Sequence, residues 1–299
     1  MSATPPVIYL NRHTGREETE EIFGEGALRW VYETALGRLS LAALVRRACF
    51  SRLYGWSADR AGSRSKIRPF IGRYRLDEAE FADPVDSYRT FNEFFYRKLK
   101  PGARPTAPTA AVLPADGRHI GFQDASETPF VYAKGQRFDL AALLGDAALA
   151  EKYRHGTLVC SRLCPVDYHR FHFPVAGTPS APRLINGFLY SVNPIALRRN
   201  LAYLWENKRK IVTLKTEKLG DVLFIPVGAT NVGGMVETYT PGAPTAKGDE
   251  LGYFRFGGSF VVTLFEPGKI RLADDLVAAT KSGKELYARV GTPLGDAVQ

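Results

Sequence analysis

Hydrophobic residues follow two different periods along the chain. Between Gly26 and about Phe50 they recur at three- and four-residue steps, at Leu28, Val31, Tyr32, Ala35, Leu36, Leu39 and Ala43. This is the period of an amphipathic helix, so the segment predicts one or two helices. Beyond the loop from Pro101 to Pro108, which holds three prolines and a glycine, short β-forming runs are broken by Gly and Pro.

The chain beyond this loop is predicted to be mostly β-sheet. Its strand-like runs are Thr157 to Leu163, Ile211 to Lys215, Asp221 to Val227 and Ser259 to Phe265, with a helical patch near Leu140 to Ala148. No internal repeat or low-complexity tract is present. We predict an α+β protein with a helical leader over residues 1–100 and a β-rich domain over residues 101–299, resembling a β-sandwich or barrel.

Composition favours an ordinary globular protein. Of the 299 residues, 45% are hydrophobic, 24% charged and 12% aromatic, as in typical globular domains. Three cysteines, Cys49, Cys160 and Cys164, are too few for a disulfide scaffold, and their odd number favours a reducing, cytosolic compartment. The first residues lack the features of a signal peptide, and no apolar run approaches the roughly 20 residues that cross a bilayer. We therefore expect neither secretion nor a membrane span.

The formal net charge of +9 suits an anionic partner, either nucleic acid or an acidic membrane surface. Arginines such as Arg29 and Arg38 lie among the apolar residues of the predicted leader helices, close to Trp30, as in helices that lie in a lipid interface. Packing of the helices on their own domain explains the same pattern equally well. No RNA-binding signature of the RRM or KH type is present, so we expect no nucleic-acid partner.

Two of the five histidines, His169 and His172, lie three residues apart in CPVDYHRFHFPVAG. A zinc site would use them together with Cys160 and Cys164, because thiolate and imidazole are good zinc ligands. Only four residues, one of them Pro165, separate Cys164 from His169, and in an extended segment the side chains would not converge. We therefore predict no metal site.

Nucleophilic catalysis is the other explanation for the histidines, because it needs a hydroxyl or thiol, a histidine base and an orienting carboxylate. The carboxylate candidate is Asp116 in the turn LPADGRHIGF, although an ordinary β-turn accounts for that segment by itself. The hydroxyl candidate is Ser259, which follows Gly257 and Gly258 at the start of a β-forming run. Paired glycines at that place indicate positive φ or a close backbone approach, and a simple bulge or hairpin turn is the alternative.

Five motifs together closely resemble those of phosphatidylserine decarboxylase proenzymes. In chain order they are PADG, DYHRFHFPVAG, SVN (Ser191 to Asn193), VGAT (Val227 to Thr230) and FGGS. The resemblance begins at FNEFFYRKLKPGARP, Phe91 to Pro105, and covers roughly two thirds of the chain. The chain has GGS where many members have LGST or VGSS, and Phe260 where many have a small residue, which changes only the expected packing around the cofactor.

The resemblance implies that the protein cuts itself between Gly258 and Ser259. His172, oriented by Asp116, would take the proton of the Ser259 hydroxyl, which attacks the preceding carbonyl. The products would be a β chain of residues 1–258 and an α chain of residues 259–299. Ser259 would become a pyruvoyl cofactor, an electron sink like the one that PLP supplies elsewhere. His169 would return the proton after carbon dioxide has left, a task that suits imidazole.

The resemblance also implies the substrate and the partners. The enzyme would convert phosphatidylserine to phosphatidylethanolamine, bound peripherally to an anionic membrane surface on its cytoplasmic face through the helical leader. Its partners would be its own cleaved α and β chains and a second copy in a homodimer. The alternatives are a pyruvoyl-dependent decarboxylase of a soluble amino acid such as tryptophan, and a non-enzymatic β-rich lipid-binding module in which GGS is merely a turn.

Overall fold

A ten-stranded mixed sheet forms the centre of the computed structural model, which describes residues 6–46, 55–128, 136, 138–230, 234–257 and 259–298. The strands are β1 (Ile8–Asn11), β2 (Arg16–Thr19), β3 (Ala111–Val112), β4 (Gly117–Phe122), β5 (Thr157–Leu163), β6 (Arg170–His172), β7 (Thr178–Pro179), β8 (Arg183–Ile185), β9 (Arg209–Lys215), β10 (Asp221–Gly228), β11 (Met235–Glu237), β12 (Glu250–Phe254), β13 (Ser259–Phe265), β14 (Ile270–Leu272), β15 (Glu285–Ala288) and β16 (Pro293–Ala297).

The helices lie mostly before β4 and between β4 and β10. They are α1 (Glu25–Glu33), α2 (Ala35–Ser40), α3 (Ile67–Tyr74), α4 (Phe91–Phe95), α5 (Leu140–Leu144), α6 (Ala147–Lys152), α7 (Pro194–Leu197), α8 (Tyr203–Glu206) and α9 (Asp274–Lys281). A π-helical turn, Leu41–Val45, follows α2, and short 3-10 helices span Ala61–Lys66, Glu78–Glu80 and Val85–Ser87. None of the helices in the described ranges is long and apolar enough to span a bilayer.

The main sheet has the strand order β2-β1-β15-β4-β5-β13-β10-β9-β7, and β8 also pairs with β9. Only β1 and β15 run parallel among these pairs. Two three-stranded sheets, β11-β12-β6 and β14-β16-β3, complete the β structure of the described residues. Strand β13 therefore lies in the interior of the main sheet, between β5 and β10.

Both faces of the main sheet are buried, and the side chains of β13 alternate between them as the two-residue period of a strand requires. Phe260, Val262 and Leu264 pack in a cluster with residues of α5 to α8 and the segments next to them. Val261 and Phe265 pack in a second cluster with residues of the two small sheets. The sheet is thus covered by helices on one face and by the two small sheets together with α9 on the other.

The predicted α+β class is confirmed, and so are the strands Thr157–Leu163 and Ser259–Phe265, whose limits agree with β5 and β13. The other two predicted runs correspond to β9 and β10, and the predicted helical patch is the pair α5 and α6. The predicted sandwich is present on one face only, because helices cover the other.

The leader contains the predicted helices as α1, α2 and the π-helical turn; the end of the predicted segment, with Arg47 and Cys49, lies outside the described residues. It is not wholly helical, however, because β1 and β2 form a hairpin at the edge of the main sheet. Strand β1 pairs with β15 from the other end of the chain. Such long-range pairing stabilises a four-residue strand whose own sequence pattern is too short to predict it.

Candidate active site

Ser259 is the first residue of β13, and its side chain is completely buried. Its strand neighbours are Leu163 on β5 and Gly228 on β10. The two-residue period places its hydroxyl on the same face as Val261, toward the small sheets. Before it, Gly257 has a φ of 142°, which side-chain-bearing residues rarely adopt, as the paired glycines predicted. Gly258, on the other side of the predicted cleavage point, lies outside the described residues.

His169 is the histidine in contact with Ser259, and 3.4 Å separates its Nδ1 from the serine Oγ. Its Nε2 lies 2.9 Å from the carbonyl oxygen of Cys164. A carbonyl can only accept, so Nε2 carries the hydrogen and Nδ1 of the neutral ring directs a lone pair at the hydroxyl. Burial, which disfavours the charged ring, lowers the pKa of His169 to about 3. Phe95 of α4 stacks on the imidazole with 3.8 Å between ring centroids and fixes its plane.

The predicted contact between His172 and Asp116 is not formed in this conformation. His172 Nδ1 lies 2.9 Å from the Gly248 carbonyl oxygen, and its Nε2 lies 3.4 Å from the Tyr168 hydroxyl. Burial lowers the pKa of His172, and the nearby Asp116 carboxylate opposes this only as a smaller effect. His172 belongs to β6, whereas His169 precedes that strand, so the two imidazoles point to different neighbours.

Asp116 is buried and bound to other partners. Its carboxylate accepts hydrogen bonds from the Arg104 guanidinium, with 2.8 Å from Nη2, and from the backbone N–H of Val290 at 2.8 Å. Arg104 also pairs with Glu80 at 3.0 Å. In this geometry Asp116 ties its turn to the loop before β3 and to the chain after β15. Of the four predicted catalytic residues, the structure brings His169 and Ser259 together and places Asp116 and His172 apart from them.

The sequence profile of the phosphatidylserine decarboxylase family matches residues 91–295, which agrees with the extent predicted from the motifs. Similar proteins include the phosphatidylserine decarboxylase proenzyme of Chlamydia trachomatis serovar L2, 41% identical over 295 residues that make up 98% of each chain. The proenzyme of Chlamydia pneumoniae is 43% identical over 289 residues, 96% of each chain. That of Fusobacterium nucleatum is 41% identical over 292 residues, 97% of each chain. The chain belongs to the phosphatidylserine decarboxylase family. It is therefore a decarboxylase, a member of the carboxy-lyases.

An apolar cavity of about 320 Å³ adjoins the backbone that precedes Ser259. It is lined by α1 and the segment before it, including Leu28 and Phe23, and also by Cys164 and Gly257. Parts of two further family motifs, SVN and VGAT, also contribute, through Ser191, Val192, Asn193 and Thr230. Family motifs that are distant in sequence thus meet between the helical leader and residue 259.

A cluster of buried ion pairs lies next to this cavity. Arg162 binds the carboxylates of Glu20 and Glu285 with distances of 2.6 and 2.5 Å. Burial alone would raise the pKa of Glu20, but Arg162 and Arg118 outweigh it and lower the pKa to about 2. Arg118 binds Asp167 at 2.6 Å, yet burial still raises the pKa of Asp167 to about 6. Arg118 lies on β4, Arg162 on β5 and Glu285 on β15. Glu20 follows the β1–β2 hairpin, and Asp167 lies in the turn before His169.

The predictions from the sequence did not include several residues of this site. Phe95 lies in the motif FNEFFYRKLKPGARP, which supplied only the start of the resemblance, and Asp167 lies in DYHRFHFPVAG without an assigned role. Cys164 was considered only for its thiol, whereas its carbonyl oxygen orients His169. Backbone carbonyls carry no sequence signature, so no pattern could have identified that contact. The concentration of aromatic residues in FNEFFYRKLKPGARP is the signal that could have pointed to Phe95.

Proposed function

We propose that this chain is a precursor that breaks its own backbone between Gly258 and Ser259 and leaves a pyruvoyl group in place of Ser259. The observation that carries the proposal is the contact between the Ser259 hydroxyl and the neutral imidazole of His169, two residues after Gly257, whose backbone conformation other residues avoid. Attack of the hydroxyl oxygen on the Gly258 carbonyl carbon converts the peptide into an ester. Elimination of the Gly258 carboxylate leaves dehydroalanine at position 259. This tautomerises to an imine, and hydrolysis by one water molecule releases ammonia and supplies the oxygen of the ketone.

The surroundings of Ser259 fit a pyruvoyl group. The serine is enclosed in the sheet, adjoins an apolar cavity and faces an uncharged imidazole, so bulk water has little access to the position. The pyruvoyl group, once formed, supplies a carbonyl for the substrate amine and an electron sink for the loss of carbon dioxide. His169 remains beside residue 259 after the cut and handles a proton there through Nδ1. This contact supports the role in the decarboxylation that the resemblance gave to His169.

The base of the cleavage step has two candidates. The resemblance assigns His172, oriented by Asp116, and this requires His172 to leave its contacts with Gly248 and Tyr168 and to reach Ser259. His169 already directs an unprotonated Nδ1 at the hydroxyl. The conservative variants His172→Gln and His169→Gln separate the candidates: the base is the histidine whose loss stops the appearance of two chains on a denaturing gel.

Phosphatidylserine is the substrate that we propose. The relatives are named phosphatidylserine decarboxylase proenzymes, and the cavity beside residue 259 is mostly apolar, as a site for a lipid requires. Carbon dioxide release is to be measured from phosphatidylserine in detergent and from free tryptophan. Release from the lipid alone is expected, whereas activity on the free amino acid alone would identify a soluble-substrate decarboxylase.

The helical leader is proposed to hold the enzyme peripherally on the cytoplasmic face of an anionic membrane. Large apolar side chains project into solvent from α1 and α2, with 49% of Trp30, 72% of Leu36 and 67% of Leu39 exposed. Each of them would gain roughly 1.5–3 kcal/mol on full burial in an apolar phase. The double variant Leu36→Ser/Leu39→Ser is therefore expected to lose binding to anionic liposomes and to keep its activity in detergent.

Leu184 on β8, 46% exposed and outside the leader, provides the matched control. Leu184→Ser is expected to bind liposomes like the wild type, and equal losses in the two variants would contradict a membrane role for the leader. A homodimer also stays a prediction, which light scattering of the purified protein tests.

An intact mass of the purified protein tests the central proposal. We expect one chain that ends at Gly258 and a second chain that begins with a pyruvoyl group at position 259. A single unprocessed chain in active wild-type protein would refute the proposal and favour a different chemistry.

A further inference from the structure

The orientation of His169 depends on the tight turn from Cys164 to Asp167. The carbonyl oxygen of Cys164 accepts a hydrogen bond from the backbone N–H of Asp167 at 2.9 Å and another from His169 Nε2 at 2.9 Å. Since this carbonyl sets which ring nitrogen carries the hydrogen, it also sets what Nδ1 presents to residue 259. Any movement of the turn therefore changes the proton chemistry at that position.

The carboxylate of Asp167 closes the turn from its other side. It accepts two hydrogen bonds, one from the backbone N–H of Cys164 at 2.6 Å and one from Arg118 Nη1 at 2.6 Å. Asp167 is only 6% exposed, so bulk water has little access to replace a lost partner. A buried carboxylate without a cation tends to take up a proton, and it would then bind the Cys164 N–H more weakly.

Arg118 is held in place by parts of the molecule that are far from the turn. Its Nε lies 3.3 Å from Glu20 Oε2, an ion pair whose angle does not make a hydrogen bond. The guanidinium carbon lies 4.9 Å from the ring centre of Tyr9 on β1 and 5.0 Å from that of Tyr287 on β15. These contacts let the guanidinium serve as a fixed anchor for Asp167.

We propose that Arg118 is a positioning residue for the chemistry at residue 259, because it acts through Asp167 and the Cys164 carbonyl to hold the imidazole of His169. The inference deepens the proposed function, since it concerns the proton that His169 handles. Arg118 is not itself a cavity-lining residue, although its ion partner Glu20 is, and its hydrogen bond goes to Asp167 and not to Ser259, so its effect on residue 259 is indirect. It follows Asp116 by two residues in PADGRHIGF, and no role in the site was predicted for it.

The first experiment measures the ring tautomer of His169 and needs no activity. Imidazole nitrogen chemical shifts are recorded in uncleaved Ser259→Ala protein, with His169→Gln used to assign the signals. We expect hydrogen on Nε2 in this background and a mixture of both tautomers when Arg118→Met is added. Arg118→Lys keeps the positive charge but not the planar guanidinium group, and it is expected to restore part of the Nε2–H form.

The second experiment measures turnover by the processed enzyme. If the imidazole is displaced by even about 1 Å, kcat is expected to fall on the order of 100-fold. The KM for phosphatidylserine should change less than about threefold, because Arg118 does not line the cavity. Glu285→Gln is the control, because it removes a buried charge from the same ion cluster without touching the turn. It is expected to keep both kcat and the Nε2–H tautomer.

The results distinguish failure of this inference from failure of the proposed function. An unchanged tautomer in folded Arg118→Met would overturn the inference, and so would an equal loss of kcat in Glu285→Gln. If Arg118→Met does not fold, Arg118→Lys and Asp167→Asn decide the question, because an unchanged tautomer in both contradicts the positioning role. Failure of the wild type to release carbon dioxide would refute the proposed function, and the tautomer measurement would still decide the role of Arg118.

Discussion

Ser161 and Ser259 both belong to the main sheet and each contacts a buried histidine, and the differences between the two pairs concern the reactivity that we propose for Ser259. In the interior pair, Ser161 Oγ lies 2.8 Å from Nδ1 of His119, and His119 Nε2 lies 3.3 Å from the Ala288 carbonyl oxygen. In the cleavage pair, Ser259 and His169 have the same arrangement with the Cys164 carbonyl. Burial lowers the pKa of both histidines to about 3.

The pairs differ in the backbone around the serine. Ser161 lies in the middle of β5, where its neighbours His119 on β4 and Val261 on β13 hold it on both sides. Ser259 begins its strand two residues after Gly257, which has a φ of 142° and lines the adjoining cavity. The interior pair has the shorter hydrogen bond. We therefore expect that a serine–histidine contact alone does not lead to cleavage, and that the glycine conformation and the cavity next to Ser259 make the difference.

Replacement of each serine by alanine should give the largest difference. Ser259→Ala is expected to remain one chain with no decarboxylase activity, because the oxygen that attacks Gly258 is absent. Ser161→Ala is expected to be cleaved and active, with a loss of about 1–3 kcal/mol in folding stability from its buried hydrogen bond. Denaturing gels and intact masses measure both. Cleavage of Ser259→Ala, or failure of folded Ser161→Ala to be cleaved, would contradict the comparison.

Replacement of the histidines should have the next largest effect. His169→Gln is expected to lower kcat of the processed enzyme by about 10²–10⁴-fold, the usual contribution of a positioned acid or base. His119→Gln should keep kcat within a few-fold, since nothing reacts at Ser161. Carbon dioxide release per pyruvoyl end group, counted by mass spectrometry, is the measurement. Similar losses in the two variants would show that the cleavage pair has no special function.

Alanine at Gly257 tests the role of the backbone. Strain of about 1–3 kcal/mol at such a φ corresponds to a cleavage rate roughly 5- to 150-fold lower, if the strain opposes the geometry of attack. Gly268 also has a positive φ, 70°, with open space around it, but lies in the turn after β13. Gly268→Ala is expected to destabilise the fold slightly and to be cleaved at the wild-type rate. Equal rates for both variants would remove the backbone from the explanation.

The pH dependence of stability should show what the pairs have in common. A histidine with a folded pKa of about 3 stays neutral while the unfolded chain binds a proton below about pH 6.5. Stability is therefore lost as the pH falls, by about 2 kcal/mol per histidine between pH 7 and pH 5. In the uncleaved Ser259→Ala chain, added His119→Gln or His169→Gln should each lessen that loss by about this amount. Denaturant unfolding at the two pH values measures it, and unchanged losses would show that these histidines titrate normally.

Much of the fold was predictable because its central strands have strong local patterns. The limits of β5 and β13 agree with the predicted runs, since each has apolar or β-branched residues at most positions and Gly or Pro beyond its ends. The hairpin of β1 and β2 was not predicted, because its stability comes from pairing with β15. Similarly, the resemblance implied that His172 takes the proton of Ser259, and no local pattern indicated that His169 is the ring in contact with the serine.

By itself the sequence determined the family, the strand that begins with Ser259 and the need for glycine before it, because motif order and local backbone preference are written in neighbouring residues. The tertiary structure alone decided that the imidazole of His169 contacts the serine, that Asp116 binds Arg104, and that Arg118 anchors the turn before His169. These contacts join residues that are distant along the chain, and some pass through backbone carbonyls. Contacts of this kind depend on how strands and loops pack against one another, and local sequence patterns do not encode that packing.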